Sequence, residues 1–163
     1  MQFSASKNLI RKDEKLFIVN KFDNFFYREL GIDARANFFG NNFDANHESI
    51  SISISSREID IDQLFIRFGN IWNNNQEKEI LIETVSFRNE LCGLEFTIKL
   101  LLILIEIAEK FGYRTLRFIK PSWVSEYICL KFGFSENYAI SSKALGLILK
   151  SYLSSPDTFK HYA

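Results

Sequence analysis

Ile80-Leu81-Ile82-Glu83-Thr84-Val85-Ser86-Phe87-Arg88-Asn89-Glu90-Leu91-Cys92-Gly93-Leu94-Glu95-Phe96 is the stretch on which the reading of this chain turns. Residues 80–85 form an apolar run of strand length bounded by polar residues. From 93 to 111 the apolar positions Leu94, Ile98, Leu101, Ile105 and Ala108 recur at helical spacing, and Glu95, Lys99, Glu106 and Lys110 make one narrow polar stripe. That pattern predicts a helix buried on most of its sides. Gly112 stops it, residues 113–119 read as a second buried strand, and Pro121-Ser122 opens a second helix that ends near Gly133. Strand, helix, strand, helix predicts a parallel strand pair joined by a right-handed crossover. The segment in front of the first helix is where chemistry is expected. A helix start leaves backbone N–H groups unpaired along its axis, and with the helix dipole they suit a phosphate or another anion.

Working towards the N-terminus, Ile59-Asp60-Ile61-Asp62-Gln63-Leu64-Phe65-Ile66-Arg67-Phe68 reads as a strand, and residues 69–75 as a turn-rich connection. Ser49-Ile50-Ser51-Ile52-Ser53-Ile54-Ser55 alternates strictly, which marks a strand with one buried and one solvated face. With residues 80–85 these make an antiparallel meander. Residues 33–48, with Gly40-Asn41-Asn42, read as loops around short extended pieces. Lys15-Leu16-Phe17-Ile18-Val19 is the expected first strand, and residues 22–30 a short aromatic-rich helix ending at Gly31. After Phe134, residues 145–153 fit a last strand or a helix equally, and Pro156 ends either. No internal repeat, low-complexity tract or linker divides the chain, so one domain over residues 1–163 is expected. The fold class is α/β in the broad sense (α+β), with a mixed, mostly antiparallel central sheet flanked by helices.

Composition narrows the function classes. Hydrophobic residues make up 47% of the 163, enough for a real core without disulfides. Twenty basic and twenty acidic residues cancel, and no basic block stands out, so no nucleic-acid partner is expected. The longest apolar stretch, residues 100–105, falls far short of the roughly 20 residues that span a bilayer, so no membrane insertion is expected. Only Cys92 and Cys129 could form a disulfide, and Met1-Gln2-Phe3-Ser4 lacks a charged-then-apolar secretion signal. A reduced, cytoplasmic protein follows. His47 and His161 have no companions at metal-ligand spacing, so no metal is expected. Gly-x-Ser-x-Gly, Walker and dinucleotide fingerprints are all missing.

Arg88-Asn89-Glu90-Leu91-Cys92-Gly93 resembles the Arg/Gln-x-x-Gly-x-Gly/Ala pyrophosphate loop of the GNAT acyl-CoA N-acyltransferases, with Phe96 where that family usually has a helix leucine. Ile107-Ala108-Glu109-Lys110-Phe111-Gly112-Tyr113-Arg114-Thr115-Leu116 is similar to the family's helix exit and following strand. Ser122-Trp123-Val124-Ser125-Glu126-Tyr127-Ile128-Cys129-Leu130-Lys131-Phe132-Gly133-Phe134 is similar to its Asn-x-x-Ala-x-x-x-Tyr-x-x-x-Gly-Phe element. The resemblance covers about the C-terminal half. Three positions depart from the pattern. Leu91 stands at the first loop glycine, Ser122 at the asparagine, and Cys129 at the tyrosine that protonates the departing CoA thiolate.

The resemblance implies a GNAT-like sheet with the cofactor between two splayed strands, and transfer of an acetyl or short acyl group from acetyl-CoA or another acyl-CoA to a primary amine of a small molecule or protein. It implies that Val85, Phe87, Arg88, Asn89, Glu90, Leu91, Cys92, Gly93, Leu94 and Ser122 bind the cofactor, with Glu83 as base and Cys129 as acid; the acceptor's identity is open, and a homodimer is among the assemblies it suggests. Other readings stand beside these. Glu83 equally reads as a solvated residue near a strand end, with Glu48, Asp60 and Asp62 as further carboxylates on neighbouring strands. Cys129 also reads as a small buried hydrophobe, and Cys92 as a contributor of its backbone N–H. The alternative function is a catalytically weak protein of this fold that binds CoA or a protein partner without turnover.

Overall fold

A computed structural model of the chain describes residues 11–30, 37–44, 47–55, 63–69, 77–86 and 94–155. A helix over Lys12–Leu30 (α1) precedes four strands, Asn37–Asp44 (β1), His47–Ser55 (β2), Gln63–Gly69 (β3) and Glu79–Ser86 (β4). A helix over Leu94–Phe111 (α2), a strand over Thr115–Phe118 (β5), a helix over Trp123–Phe132 (α3), a strand over Ala139–Ser141 (β6) and a helix over Ser142–Ser154 (α4) follow. The strands make one sheet in the order β1-β2-β3-β4-β5-β6. All neighbours are antiparallel except β4 and β5, the parallel pair that α2 connects. The mixed, mostly antiparallel sheet with helices is the architecture expected from the pattern of residues 49–134.

The N-terminal part differs from expectation. Residues 15–19 are not a strand but lie inside α1. Alternation would put Leu16 and Ile18 on one face, yet Leu16 is 59% exposed and Ile18 fully buried. The pattern that decides is longer: Ile18, Phe22, Phe25 and Phe26 recur at i, i+4, i+7 and i+8 and make one apolar stripe. Residues 37–44 form β1 despite Gly40-Asn41-Asn42, with an irregularity in its register between Asn41 and Asp44. Pairing with β2 satisfies the backbone there and overrides weak strand propensity. The ambiguous tail is helical. Ser141 caps α4 by accepting from Ala144 N at 3.0 Å, and Leu145 and Leu149, four apart, are both fully buried. β6 is too short to have left a periodic signal.

One face of the sheet carries the core. Leu64, Ile66 and Phe68 are buried along β3, and the register sets Ile82 beside Ile66, Ile80 beside Phe68, Leu116 beside Ile80 and Ile140 beside Leu116. All four helices contribute to the same cluster. Phe22 of α1 meets Phe68 with ring centroids 6.3 Å apart, Phe25 meets Phe96 of α2 at 5.1 Å, and Phe132 of α3 meets Tyr152 of α4 at 5.4 Å. Burying each large apolar side chain contributes roughly 1.5–3 kcal/mol, so α2, with Leu100, Leu101, Leu104 and Ile107 fully buried, anchors the layer. It ends at Gly112, whose φ of 78° permits the left-handed turn, while Gly112 N and Tyr113 N both donate to Ala108 O.

Two polar arrangements lie outside this apolar layer. Near the start of β4, Lys78 Nζ donates to Glu14 Oε1 at 2.8 Å and to Phe111 O at 3.1 Å, and Tyr113 donates its hydroxyl to the same Glu14 oxygen. This node ties α1 to the exit of α2. On the sheet face away from the core, Leu81 is fully buried but stands apart from the main cluster, with Arg67 beside it on β3 and Arg117 on β5.

Candidate functional site

The parallel pair defines the site by where it ends. β4 and β5 pair from Glu79 with Thr115 to Ile82 with Phe118, and Ile119 N adds a last bond to Ile82 O at 2.8 Å. Lys120 then takes a left-handed φ of 52°, Pro121 follows, and the chain leaves the sheet for α3. β4 instead continues to Ser86, paired with β3. The two strands therefore part at their C-terminal ends, the place where crossover folds leave a crevice for ligands.

Glu83 stands at the parting. Phe65 faces Thr84, while the next β3 residue, Ile66, faces Ile82, so Glu83 is the extra residue of a β-bulge. Its Oε1 lies 3.1 Å from Arg67 Nε, and the two side chains are 20% and 17% exposed. The open reading of Glu83 as a solvated strand-end residue does not describe it, since it is half-buried and ion-paired. The Arg67 guanidinium also lies over Phe65, 5.4 Å from the ring centroid. On the other side of Leu81, Arg117 Nη2 is 3.7 Å from Glu79 Oε1, and the Glu79 side chain is only 5% exposed.

Of the residues expected to bind a cofactor, Val85 lies on β4 opposite Leu64, Leu94 is the half-buried first residue of α2, and Ser122 is the N-cap of α3. Ser122 Oγ accepts from Ser125 N at 3.3 Å and its hydroxyl donates to Ser125 Oγ at 3.2 Å, so that side chain is engaged in starting the helix. Phe87, Arg88, Asn89, Glu90, Leu91, Cys92 and Gly93 lie outside the described residues, as do Asp60 and Asp62. Glu83 and Val85 lie together towards the C-terminal end of β4.

Cys129 sits in the core cluster with Ile128 and Phe132 and is 3% exposed. Burial first, and then the negative charge of Glu126, push its thiol up to about 12. It therefore keeps its proton at neutral pH, and its surroundings are those of a packing residue. Beside it, Tyr138 donates its hydroxyl to Glu126 Oε1 at 3.0 Å, an interaction that raises the tyrosine's own pKa.

Cavities among the described residues lie elsewhere. One of about 320 Å³ is lined by Gly112, Arg114, Lys143, Gly146 and Lys150, among others, between the end of α2 and α4. Another, about 420 Å³, is a groove between α1 and α2 lined by Phe17, Lys21, Phe25, Glu29 and Glu106, among others. Neither touches Glu83, Ser122 or Cys129. Among the described residues no three His, Cys, Asp or Glu side chains gather as a metal site, and no helix is long and apolar enough to cross a membrane.

Arg67 is the residue at this site that sequence reasoning missed. Its available signal was the alternation Leu64, Ile66, Phe68 against Phe65, Arg67, which puts the arginine on the non-core face; its proximity to Glu83 follows from a cross-strand register that sequence does not display. What the fold and site define is a mixed α/β sheet protein with a carboxylate–guanidinium pair where its parallel strands separate. No protein-family model matches the chain, and no curated protein matches its sequence.

Proposed function

We propose that this chain is an acyl-CoA-dependent N-acyltransferase of the GNAT type, moving an acetyl or short acyl group from the CoA thioester to a primary amine. The observation that carries the reading is the parting of β4 and β5 after Ile82 and Phe118, in the same stretch where the sequence resembles that family. A thioester lying in that gap supplies an activated acyl carbon. Val85 lies near the C-terminal end of β4 and Ser122 between β5 and α3, and Phe87, Arg88, Asn89, Glu90, Leu91, Cys92 and Gly93, with Leu94, supply the pyrophosphate loop on the strength of the resemblance. Glu83, half-buried at the strand parting, takes a proton from the incoming amine. The amine nitrogen bonds to the acyl carbon, the carbon–sulfur bond breaks, and the thiolate takes a proton from water or from Cys129. The deep burial of Cys129 favours water.

Calorimetric titration with acetyl-CoA, CoA and a longer acyl-CoA tests this. Micromolar binding that is lost in Gly93→Trp, together with acetylation of a primary amine, is the expected result. Binding of CoA without turnover on any amine would instead favour the second reading, a catalytically weak protein of this fold, which Leu91 and the buried Cys129 support. No binding to any of the three ligands would sink the acyl-CoA assignment.

A further inference from the structure

We infer that Arg67 is a positioning residue for Glu83, holding its carboxylate at the strand parting where the acceptor amine would meet it; this rests on the acyltransfer reading given above. The bulge at Glu83 takes that residue out of the regular ladder, so the backbone alone does not fix where its carboxylate lies. Arg67, from the neighbouring strand, supplies the constraint. Its Nε is 3.1 Å from Oε1, a charge contact rather than an aligned hydrogen bond, and its guanidinium lies over the Phe65 ring, 5.4 Å from the centroid. The Glu83 side chain is 20% exposed, so its carboxylate is held by Arg67 and still reached by solvent. A base needs that combination: a carboxylate held in place by a neighbour and still accessible.

The neighbouring pair shows what a purely structural version looks like. Arg117 and Glu79 lie at 3.7 Å on the same face, but the Glu79 side chain is 5% exposed and has no comparable access. Guanidinium is also the suitable group for the task. It is always charged and less strongly hydrated than an ammonium, so it holds a charge contact in a half-buried place.

The test compares wild type with Arg67→Ala, Arg67→Lys, Glu83→Gln, the Arg67→Ala/Glu83→Gln double variant and Arg117→Ala, measuring kcat, the KM for acetyl-CoA and the melting temperature. The acceptors are a linear diamine, an aromatic amine and a lysine-containing peptide. Positioning requires that Arg67→Ala lower kcat by about tenfold or more while the KM for acetyl-CoA stays within about twofold. Arg67→Lys should recover part of the loss, Arg67→Ala should add nothing to Glu83→Gln, and Arg117→Ala should lower the melting temperature without lowering the kcat of the folded protein. Unchanged kcat in Arg67→Ala, or the same fold loss in the Glu83→Gln background, overturns the inference while leaving the acyltransferase reading intact. A wild-type protein that acetylates none of the three amines overturns that reading, and this inference with it.

Discussion

Tyr113 donates its hydroxyl to the carboxylate of Glu14, a residue 99 positions earlier in the chain. Glu14 is 2% exposed, and Lys78 adds a second donor at 2.8 Å while its ammonium lies 4.5 Å from the centroid of the Tyr113 ring. A carboxylate so deep in a protein persists because charge and hydrogen bonds are both satisfied. The node therefore joins α1, the lead into β4 and the exit of α2 in one polar contact.

Glu14→Ala removes the acceptor shared by two donors, leaving the Tyr113 hydroxyl unpaired in the interior and Lys78 only half-screened by solvent. A loss of about 2–4 kcal/mol is expected. Tyr113→Phe leaves the Lys78–Glu14 pair intact and should cost less, about 1–2 kcal/mol. Urea unfolding of both variants checks the order; equal losses would show that Lys78 contributes nothing to holding the carboxylate.

Leu104 and Leu130 are the same residue type on two helices with opposite surroundings, one fully buried and the other 80% exposed. Leu104→Ala should destabilise by about 2–5 kcal/mol through lost burial and the cavity left behind. Leu130→Ala should stay within about 0.5 kcal/mol of wild type. Denaturant midpoints read the difference.

Gly146 lies inside α4, where glycine is a poor helix residue. A Cβ there would meet Ile105 Cγ2 at 3.4 Å and Glu109 Oε1 at 3.5 Å, which is ordinary contact. Gly146→Ala is therefore expected to stabilise by about 0.5–1 kcal/mol. Gly146→Leu should reverse the sign, because its longer side chain must displace Ile105 on α2. Thermal melts of the two variants check both signs.

Cys129 gives the protein an alkaline weakness. Its thiol titrates near 9 when unfolded and near 12 when folded. Between those values the unfolded state binds fewer protons than the folded one, so stability is full below pH 9 and falls as pH rises towards 12. The expected slope is about 1.4 kcal/mol per pH unit. Cys129→Ala should remove it, leaving the fall that begins nearer pH 10 from Tyr113, whose hydroxyl is also pushed up by burial and by Glu14. In a Cys92→Ser background the same shift makes Cys129 about a thousandfold poorer in thiolate than an ordinary cysteine. Rapid labelling by a disulfide reagent at pH 8 under native conditions would contradict the burial.

The strand–helix–strand–helix unit was legible because its elements are long or bounded by clear signals. Leu94 to Ala108 repeat at helical spacing over four turns, Gly112 and Gly133 mark two ends with φ of 78° each, and Ser122 announces a helix start. Lys15 to Val19 misled because five residues cannot separate a period of 2 from one of 3.6; Phe22, Phe25 and Phe26 had to be read with them. Of the candidate site, what was legible is position: Glu83 on its strand and Ser122 at a helix start. The bulge that displaces Glu83, and Arg67 beside it, were not.

By itself, the sequence determined the crossover unit and the meander that precedes it, because these depend on local periodicity and on glycine and serine signals within a few residues. Tertiary structure alone decided that residues 37–44 are a strand, that the tail after Ser141 is a helix, that Tyr113 meets Glu14 and that Arg67 meets Glu83. Each of these is set by a partner distant in the chain, and a hydrogen bond or ion pair across strands depends on register and distance, which residue order does not encode locally.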